Sequence, residues 1–471
     1  MNPATGNLLD PPEAGLIARL RHRFHVDDRA TSSLKAAFVF LIRVVSAGLL
    51  ILTQILLARW MGAYAYGVYV FAWTLVIIVG DLLPLGFSYT AQRLIPQYRQ
   101  SGDVAALRGF LRIGPAIVVG IATIFAAVSL MAIAMLGDAM PGVDPLVISI
   151  AVCALPAYAL GSILEGVARA FDRVSLAMMP TYILRPILLV SLVAIFHFIG
   201  FESTAAEAMT AAVLATWLSV TVQAGFVFMR GARITEKGPS DLRVGEWFAV
   251  SLRFFTAWSF ITLYTYADVV MLNAFSTSDK VGIYFASAKI LALTSFVGYA
   301  VASVFAHRFV DRNIAGDHEG LRRAVSLSVN LTFWPSLALT GGVLLISKPL
   351  LSLFGPEFVA GPEILAVLSF GLLARASIGP AERLLSMLGH QGATAGVYAA
   401  AFAMAVVMSF LLVPRFDMLG AALASCAAMM TEATLLWILV RRRLKLNVFA
   451  FSPTVFSPST FMKPRTGDPK P

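Results

Sequence analysis

The chain has 471 residues, of which 58% are hydrophobic and only 13% are charged, and its mean hydropathy is +0.80. These values exclude a soluble globular protein, because so few polar side chains cannot cover the surface of a globule of this size. The net charge of +10 is also found in nucleic-acid-binding proteins, but most basic residues lie between or beyond the apolar segments, so we expect no nucleic-acid partner.

The first predicted element is a polar N-terminal tail, residues 1–35. The apolar run that follows it is longer than the core of a signal peptide and has no convincing cleavage site, so we expect the tail to be retained. Cys153 and Cys426 both lie inside apolar runs, which favours neither a disulfide nor a thiolate metal site. The sequence therefore predicts no metal or other cofactor.

Apolar segments of roughly 20 residues, the length that crosses a bilayer as a helix, recur along the chain. The predicted spans are 36–60, 64–88, 108–136, 145–169, 175–198, 203–229, 246–274, 281–306, 321–347, 361–387, 392–413 and 417–440. About twelve spans make the chain an all-α polytopic membrane protein. We divide it into an N-lobe (36–229, spans one to six), a cytoplasmic linker (230–245), a C-lobe (246–440, spans seven to twelve) and a C-terminal tail (441–471).

Basic residues alternate between the two sides of the predicted membrane. They cluster before the first span, after the last one and in every second connection, for example at Arg230, Arg233 and Arg243 in the linker. The other connections carry at most one cation each. Because cytoplasmic connections are enriched in Lys and Arg, the pattern predicts that both termini are cytoplasmic.

Short matches between the two halves predict an internal repeat. Gly67 and Tyr69 after the first span correspond to Gly282 and Tyr284 after the seventh, and TAQR (90–93) corresponds to FAHR (305–308) at the same offset. A Gly-Asp pair at 102–103 recurs at 316–317, one residue out of step. With six spans in each half, the copies run parallel and are related by an axis along the membrane normal. This organisation is typical of two-lobed transporters.

Several of these stretches resemble a known family. They are ARWMGAYAYGVYVFA, LPLGFSYTAQRLIPQY, ADVVMLNAFSTSDKVGIYFAS, LLSLFGPEFVAGPEILAVLSF and VPRFDMLGAALASCAAMM. In their order and spacing they are similar to the Wzx-type polysaccharide or O-antigen flippases of the multidrug/oligosaccharidyl-lipid/polysaccharide exporter superfamily. The resemblance covers roughly residues 36–443.

The resemblance implies a V-shaped, MATE-like pair of six-helix lobes around a cavity that opens alternately to the two sides of a bacterial inner membrane. It implies an undecaprenyl-diphosphate-linked oligosaccharide as the substrate, which is moved without enzymatic chemistry for O-antigen or exopolysaccharide biosynthesis. A polysaccharide polymerase and a chain-length regulator are the protein partners that it implies, and membrane lipids surround the chain. Some family members have fourteen spans, so the resemblance predicts no subtype.

Ionisable residues inside a membrane are candidates for function, because an unpaired charge there is costly. Arg43 and Asp81 lie at similar predicted depths on spans one and two, and Asp268 and Lys289 do so on spans seven and eight. Each couple is either a structural ion pair or part of a substrate site, and the sequence does not decide between these roles. A guanidinium that faces the cavity would suit phosphate oxygens.

Arg185 and Arg375 lie near the middle of spans five and ten, and no acidic residue at a matching depth is evident for either. Pro186 and Pro380 nearby would open the helices locally, as happens where a helix lines a cavity. One arginine from each lobe would bind a diphosphate, unless backbone carbonyls and water satisfy them. Glu432 is a further candidate, as a carrier of a coupling ion.

The alternative function is a multidrug or ion-coupled antiporter of the same superfamily. That activity favours acidic cavity residues for cationic drugs, whereas the mid-depth residues that lack an evident partner here are basic. An integral-membrane polymerase or ligase would need a large periplasmic loop with catalytic residues, and no predicted connection exceeds about 20 residues.

Overall fold

The structure, a computed structural model, describes residues 13–136, 142, 144–200, 202–231 and 238–452. Within these ranges it describes all side chains except those of residues 13–41, 43, 229–231 and 257. Residues 1–12 and 453–471 of the predicted tails, and 232–237 of the predicted linker, therefore lie outside the described residues.

The described chain is helical, and none of its residues lies in a strand. The helices are α1 (Glu13–Leu82), α2 (Phe87–Ser101), α3 (Val104–Leu136), α4 (Pro145–Val152), α5 (Leu155–Ala170), α6 (Val174–Met179), α7 (Arg185–Ile199), α8 (Ala205–Gly231), α9 (Val244–Phe275), α10 (Ser278–Ala292), α11 (Ser295–Ile314), α12 (His318–Leu345), α13 (Ser347–Ser352), α14 (Pro362–Ala376), α15 (Ala381–Met387) and α16 (Gln391–Leu444). A π-helical segment, Pro180–Leu184, joins α6 to α7, and a 3₁₀ segment, Pro356–Ala360, precedes α14. The prediction of an all-α membrane fold is confirmed.

Ten segments of the described chain are long and apolar enough to cross a membrane, and two of them are about twice the length that one crossing needs. These are Val44–Ser101, with 58 residues, and Gln391–Leu444, with 54. Each contains a kink at one residue with non-helical backbone angles, Gly62 (φ 74°) in α1 and Asp417 (φ 50°) in α16, and Val44–Ser101 also contains the turn between α1 and α2. Both kinks fall at the predicted connections, so the ten segments agree with twelve crossings.

The repeated Gly-x-Tyr motifs lie where the two lobes meet. A β-carbon on Gly67 would lie 1.7 Å from the carbonyl oxygen of Ser278, and one on Gly282 would lie 2.6 Å from that of Ala63. The two contacts are equivalent under the repeat, because Gly67 precedes Gly282 by the same offset that separates Ala63 from Ser278. Helices α1 and α10 therefore cross closely through their glycines on a pseudo-twofold axis.

The repeated Gly-Asp pair has the same structural role in both halves. Gly102 and Gly316 each have a positive φ, of 73° and 65°, directly after a helix, which a residue without a β-carbon adopts readily. The aspartate that follows accepts a backbone hydrogen bond three residues on, from Ala106 to Asp103 and from Gly320 to Asp317. The prediction of an internal repeat is thus confirmed at the level of local structure.

Among the described residues, the two largest clusters of buried hydrophobic side chains are one large core and one smaller core. The large core joins the N-lobe to the C-lobe at Tyr284, Leu351 and Phe358, and also at Trp247 near the start of α9. The smaller core lies within the C-lobe, around Phe309 and Leu436. We call the end that holds the predicted outer connections the outer side, and the opposite end the basic side.

Candidate functional site

Arg185 begins α7 directly after the π-helical segment, and Pro186 follows it. A π-helical turn widens a helix and often marks a functional position. The Arg185 guanidinium lies 5.2 Å from the ring centroid of Trp73 and 6.0 Å from that of Tyr158. Its charge is therefore stabilised by aromatic rings, and no described carboxylate lies within ion-pair distance of it.

Arg185 lines a cavity of about 610 Å³ to which both lobes contribute. From the N-lobe come Arg185 on α7 and Asp81 on α1, and from the C-lobe comes Lys289 on α10. The Lys289 ammonium lies 4.6 Å from the ring centroid of Phe285, which also lines the cavity. The structure thus brings three of the predicted site residues to one space between the lobes.

Two helical stripes form much of the cavity wall. On α1, Trp73, Ile77 and Asp81 follow one another at intervals of four residues. On α5 the stripe contains Tyr158, Gly161, Ser162, Glu165 and Arg169. Residues at these intervals share one face of a helix, so each stripe points a row of side chains into the same space.

Asp81 accepts a side-chain hydrogen bond from Tyr158 and lies within electrostatic range of Arg185. The expected pair between Arg43 and Asp81 stays a prediction, because the Arg43 side chain lies outside the described residues. Glu165 and Arg169 form an ion pair one helical turn apart, with Nε of Arg169 3.0 Å from Oε1 of Glu165. Among the described charges in the cavity wall, Arg169, Arg185 and Lys289 outnumber Asp81 and Glu165, so the cavity carries a net positive charge.

The expected ion pair between Asp268 and Lys289 is wrong as a direct contact. Asp268 accepts a hydrogen bond of 2.7 Å from the hydroxyl of Tyr284, and its own backbone neighbour Val269 donates another. Lys289 acts on Asp268 only through space. Because tyrosine and backbone donors satisfy Asp268, the ammonium of Lys289 stays available to the cavity.

The expectation that Arg375 has no acidic partner is also wrong. Its Nε lies 3.2 Å from Oε1 of Glu432, which is fully buried and accepts a hydrogen bond of 2.9 Å from Tyr264. The same contact corrects the interpretation of Glu432 as an unpaired carboxylate. Arg375 does not line the cavity between the lobes; it lines a second cavity of about 360 Å³ within the C-lobe.

Sequence reasoning missed Trp73 and Tyr158, the aromatic partners of Arg185. The helical spacing of the sequence could have identified both residues. Stepping back from Asp81 by two intervals of four residues reaches Trp73, and stepping back from Glu165 by seven residues reaches Tyr158. A buried charge in a membrane helix thus identifies the face on which its aromatic neighbours lie.

Comparison with known proteins gives matches at the level of sequence. The family described as "Polysaccharide biosynthesis protein" matches residues 34–306 of the chain. A protein of Haloferax volcanii, named as a probable low-salt glycan biosynthesis flippase, is 22% identical over 173 residues. That alignment covers 36% of this chain and 37% of the relative, so the chain matches well under two thirds of that relative's length.

Solved structures give matches at the level of the fold. A multidrug resistance MATE family transporter of the MOP superfamily, in an inward-facing conformation, has a TM-score of 0.68 and 13% identity, over 84% of this chain and 98% of that one. The lipid II flippase MurJ, in an inward closed conformation, has a TM-score of 0.67 and 12% identity, over 86% of this chain and 87% of that one. These similarities confirm the predicted MATE-like fold.

Proposed function

Because the chain belongs to the polysaccharide biosynthesis protein family, we propose that it is a flippase for a lipid-linked oligosaccharide. The substrate would be an oligosaccharide on undecaprenyl diphosphate, moved from the cytoplasmic to the periplasmic leaflet of a bacterial inner membrane for O-antigen or exopolysaccharide biosynthesis. No bond of the substrate is made or broken. A polymerase and a chain-length regulator would then act on the product at the periplasmic face.

The observation that carries this proposal is the cavity between the lobes. It receives Arg185 from one lobe and Lys289 from the other, and neither forms an ion pair with a described carboxylate. A diphosphate has several oxygen acceptors for the donors of a guanidinium and an ammonium. Its net positive wall distinguishes the cavity from the acidic site that a transporter of cationic drugs would favour, so we do not propose the antiporter function.

The cavity also supplies a route for the polar part of the substrate. The cations would hold the diphosphate while the lipid chain stays in the bilayer, and rocking of the lobes that opens their outer contact would expose the cavity to the other side. With the basic side in the cytoplasm, a membrane potential that is negative inside favours outward movement of an anion by about 2.3 kcal/mol per charge at 100 mV.

Substitution of the two cavity cations tests the proposal. We expect Arg185→Gln with Lys289→Gln to slow flipping by ~100-fold, because two charge-assisted contacts to the diphosphate are lost. Arg185→Lys should retain part of the rate, since an ammonium keeps the charge but lacks the planar fork. Flipping is measured as the accumulation of lipid-linked oligosaccharide in the cytoplasmic leaflet, detected by leaflet-selective labelling.

Arg59→Gln is the matched control, because Arg59 is exposed and does not line the cavity. It should leave the sidedness of the lipid-linked oligosaccharide unchanged. Normal sidedness in cells that lack the protein would refute the flippase function. Normal sidedness in the double variant, with the protein present at the usual level, would refute the role of the two cations.

A further inference from the structure

The second cavity, within the C-lobe, differs in chemistry from the cavity between the lobes. Its wall holds two basic and two acidic side chains, Arg375, Arg383, Glu382 and Glu432, so its charges balance. Six hydroxyl groups line the same space. They belong to Thr294, Ser295, Tyr299, Ser303, Thr332 and Ser336. The cavity is thus rich in hydrogen-bonding groups without favouring either an anion or a cation.

Three of these hydroxyl groups are arranged as acceptors. Ser303 and Thr332 each donate their proton to a carbonyl of their own helix, at 2.9 and 2.8 Å, and Thr294, between α10 and α11, donates to the carbonyl of Leu291 at 2.7 Å. Their oxygens then keep lone pairs for a donor on a ligand. A ligand with many O–H groups would find acceptors on α11 and α12.

Arg375 and Glu432 supply the strongest polar groups of the wall. The side chain of Arg375 is 49% exposed, and among the described residues its only close partner is Glu432, through Nε. Its terminal nitrogens are therefore free to donate into the cavity. Oε1 of the fully buried Glu432 has no hydrogen-bond donor within the described chain, although the Arg375 guanidinium is close to it. The site thus offers a charged donor, Arg375, which is held in place by the buried carboxylate of Glu432.

The junction between α10 and α11 contributes to both cavities. Lys289 and Phe296 line the cavity between the lobes, whereas Thr294 and Ser295 line the second cavity. The two cavities are therefore adjacent along this segment. A ligand with an anionic end and a neutral polyhydroxyl end could occupy both at once.

We propose that the second cavity binds the saccharide part of the substrate while the cavity between the lobes holds its diphosphate. The inference rests on the proposed function and extends it, because it assigns the two chemical parts of one substrate to two spaces. A volume of about 360 Å³ lies within the range of small-molecule sites and would hold the sugar nearest the diphosphate, with further sugars outside it.

Filling the second cavity tests this assignment. Ala302 lies in its wall, so Ala302→Leu adds three carbons there, whereas Ala292→Leu adds them at an exposed position of α10 outside both cavities. Equilibrium binding is measured with the full-length protein in nanodiscs. The two probes are undecaprenyl diphosphate and the lipid-linked oligosaccharide extracted from source cells that lack the protein.

We expect Ala302→Leu to weaken binding of the saccharide-bearing probe by ~10-fold or more and to leave undecaprenyl diphosphate within about twofold. Ala292→Leu should change neither affinity. A second, smaller change is Ser336→Ala, compared with Ser328→Ala on the same helix. Both serines are buried, but only Ser336 lines the cavity, so only its loss should weaken binding of the saccharide-bearing probe, by ~5-fold.

The variants separate failure of this inference from failure of the proposed function. Equal weakening of both probes by Ala302→Leu, or no change in either, would overturn the saccharide assignment. The proposed function still stands in that case if Arg185→Gln weakens both probes. If Arg185→Gln leaves both affinities unchanged, the cavity between the lobes is not the diphosphate site and the saccharide assignment falls with it, whereas the flippase function is decided by the sidedness of the lipid-linked oligosaccharide in cells that lack the protein.

Discussion

At the scale of single residues, the two arginines that looked alike in the sequence are stabilised in different ways. Arg185 lies against the rings of Trp73 and Tyr158, and Arg375 pairs with Glu432. An aromatic ring attracts a cation without neutralising it, so Arg185 keeps its full charge for an anionic ligand. An ion pair cancels most of the field of Arg375. This difference favours Arg185 over Arg375 as the residue that binds the diphosphate.

The pair between Arg375 and Glu432 gives a prediction about stability. Arg375→Met leaves the buried Glu432 carboxylate with tyrosine donors alone, and we expect this to lower the free energy of unfolding by about 3 kcal/mol. Adding Glu432→Gln should restore most of the loss, because the amide is neutral and can still accept from Tyr264. Unfolding is measured in detergent by titration with SDS. A single variant as stable as the parent protein would contradict the pairing.

The sequence could not predict this pair, because depth along a span was estimated for straight helices. α14 ends at Ala376, and a turn precedes α15, so Arg375 lies in the last helical turn beside a break. Its partner Glu432 comes from a helix two spans later. By contrast, the sequence predicted Arg185, Asp81 and Lys289 as site residues from the cost of a buried charge, but it did not predict that the three line one cavity.

At the scale of helices, the sequence predicted the positions at which two membrane crossings end, but it did not predict the backbone conformation at those positions. The predicted connections near residues 62 and 415 are not separate loops, since α1 and α16 continue through them with one non-helical residue each, Gly62 and Asp417. Composition locates an interruption of an apolar run. It does not distinguish a loop from a kink, because the angle between the two halves of a kinked helix depends on the contacts that each half makes.

The crossing of α1 and α10 gives a prediction at this scale. Gly67→Ala places a β-carbon 1.7 Å from the Ser278 carbonyl oxygen, so the helices must separate, and we expect a loss of about 3 kcal/mol or more in stability. Gly120→Ala on α3 meets no atom within 4 Å and should be at least as stable as the parent protein. Thermal unfolding of the purified variants measures the difference. Equal melting temperatures for the two variants would show that the glycine contact is dispensable.

At the scale of the whole molecule, the lobes are joined on the outer side, and the start of α9 also packs on the N-lobe at the basic side, where Trp247 donates a hydrogen bond to Tyr98. The outer contact includes a hydrogen bond of 2.8 Å from the backbone N–H of Ala63 to Glu357, and another of 3.2 Å from Asn273 to the carbonyl of Gly142. The repeat predicted two lobes, but which residues join them depends on long-range packing that local sequence does not encode. A transporter that alternates its access must open this contact.

Crosslinking the outer contact tests that requirement. In a chain whose two native cysteines are replaced by alanine, Ala63→Cys and Glu357→Cys place thiols on opposite lobes. We expect a short, reducible bis-thiol crosslinker to stop flipping in reconstituted vesicles, because the lobes cannot separate, and we expect a reductant to restore it. Each single-cysteine variant, treated in the same way, should keep its rate. Undiminished flipping by the crosslinked protein would mean that the substrate crosses without opening of the outer contact, along the lateral surface of the lobes.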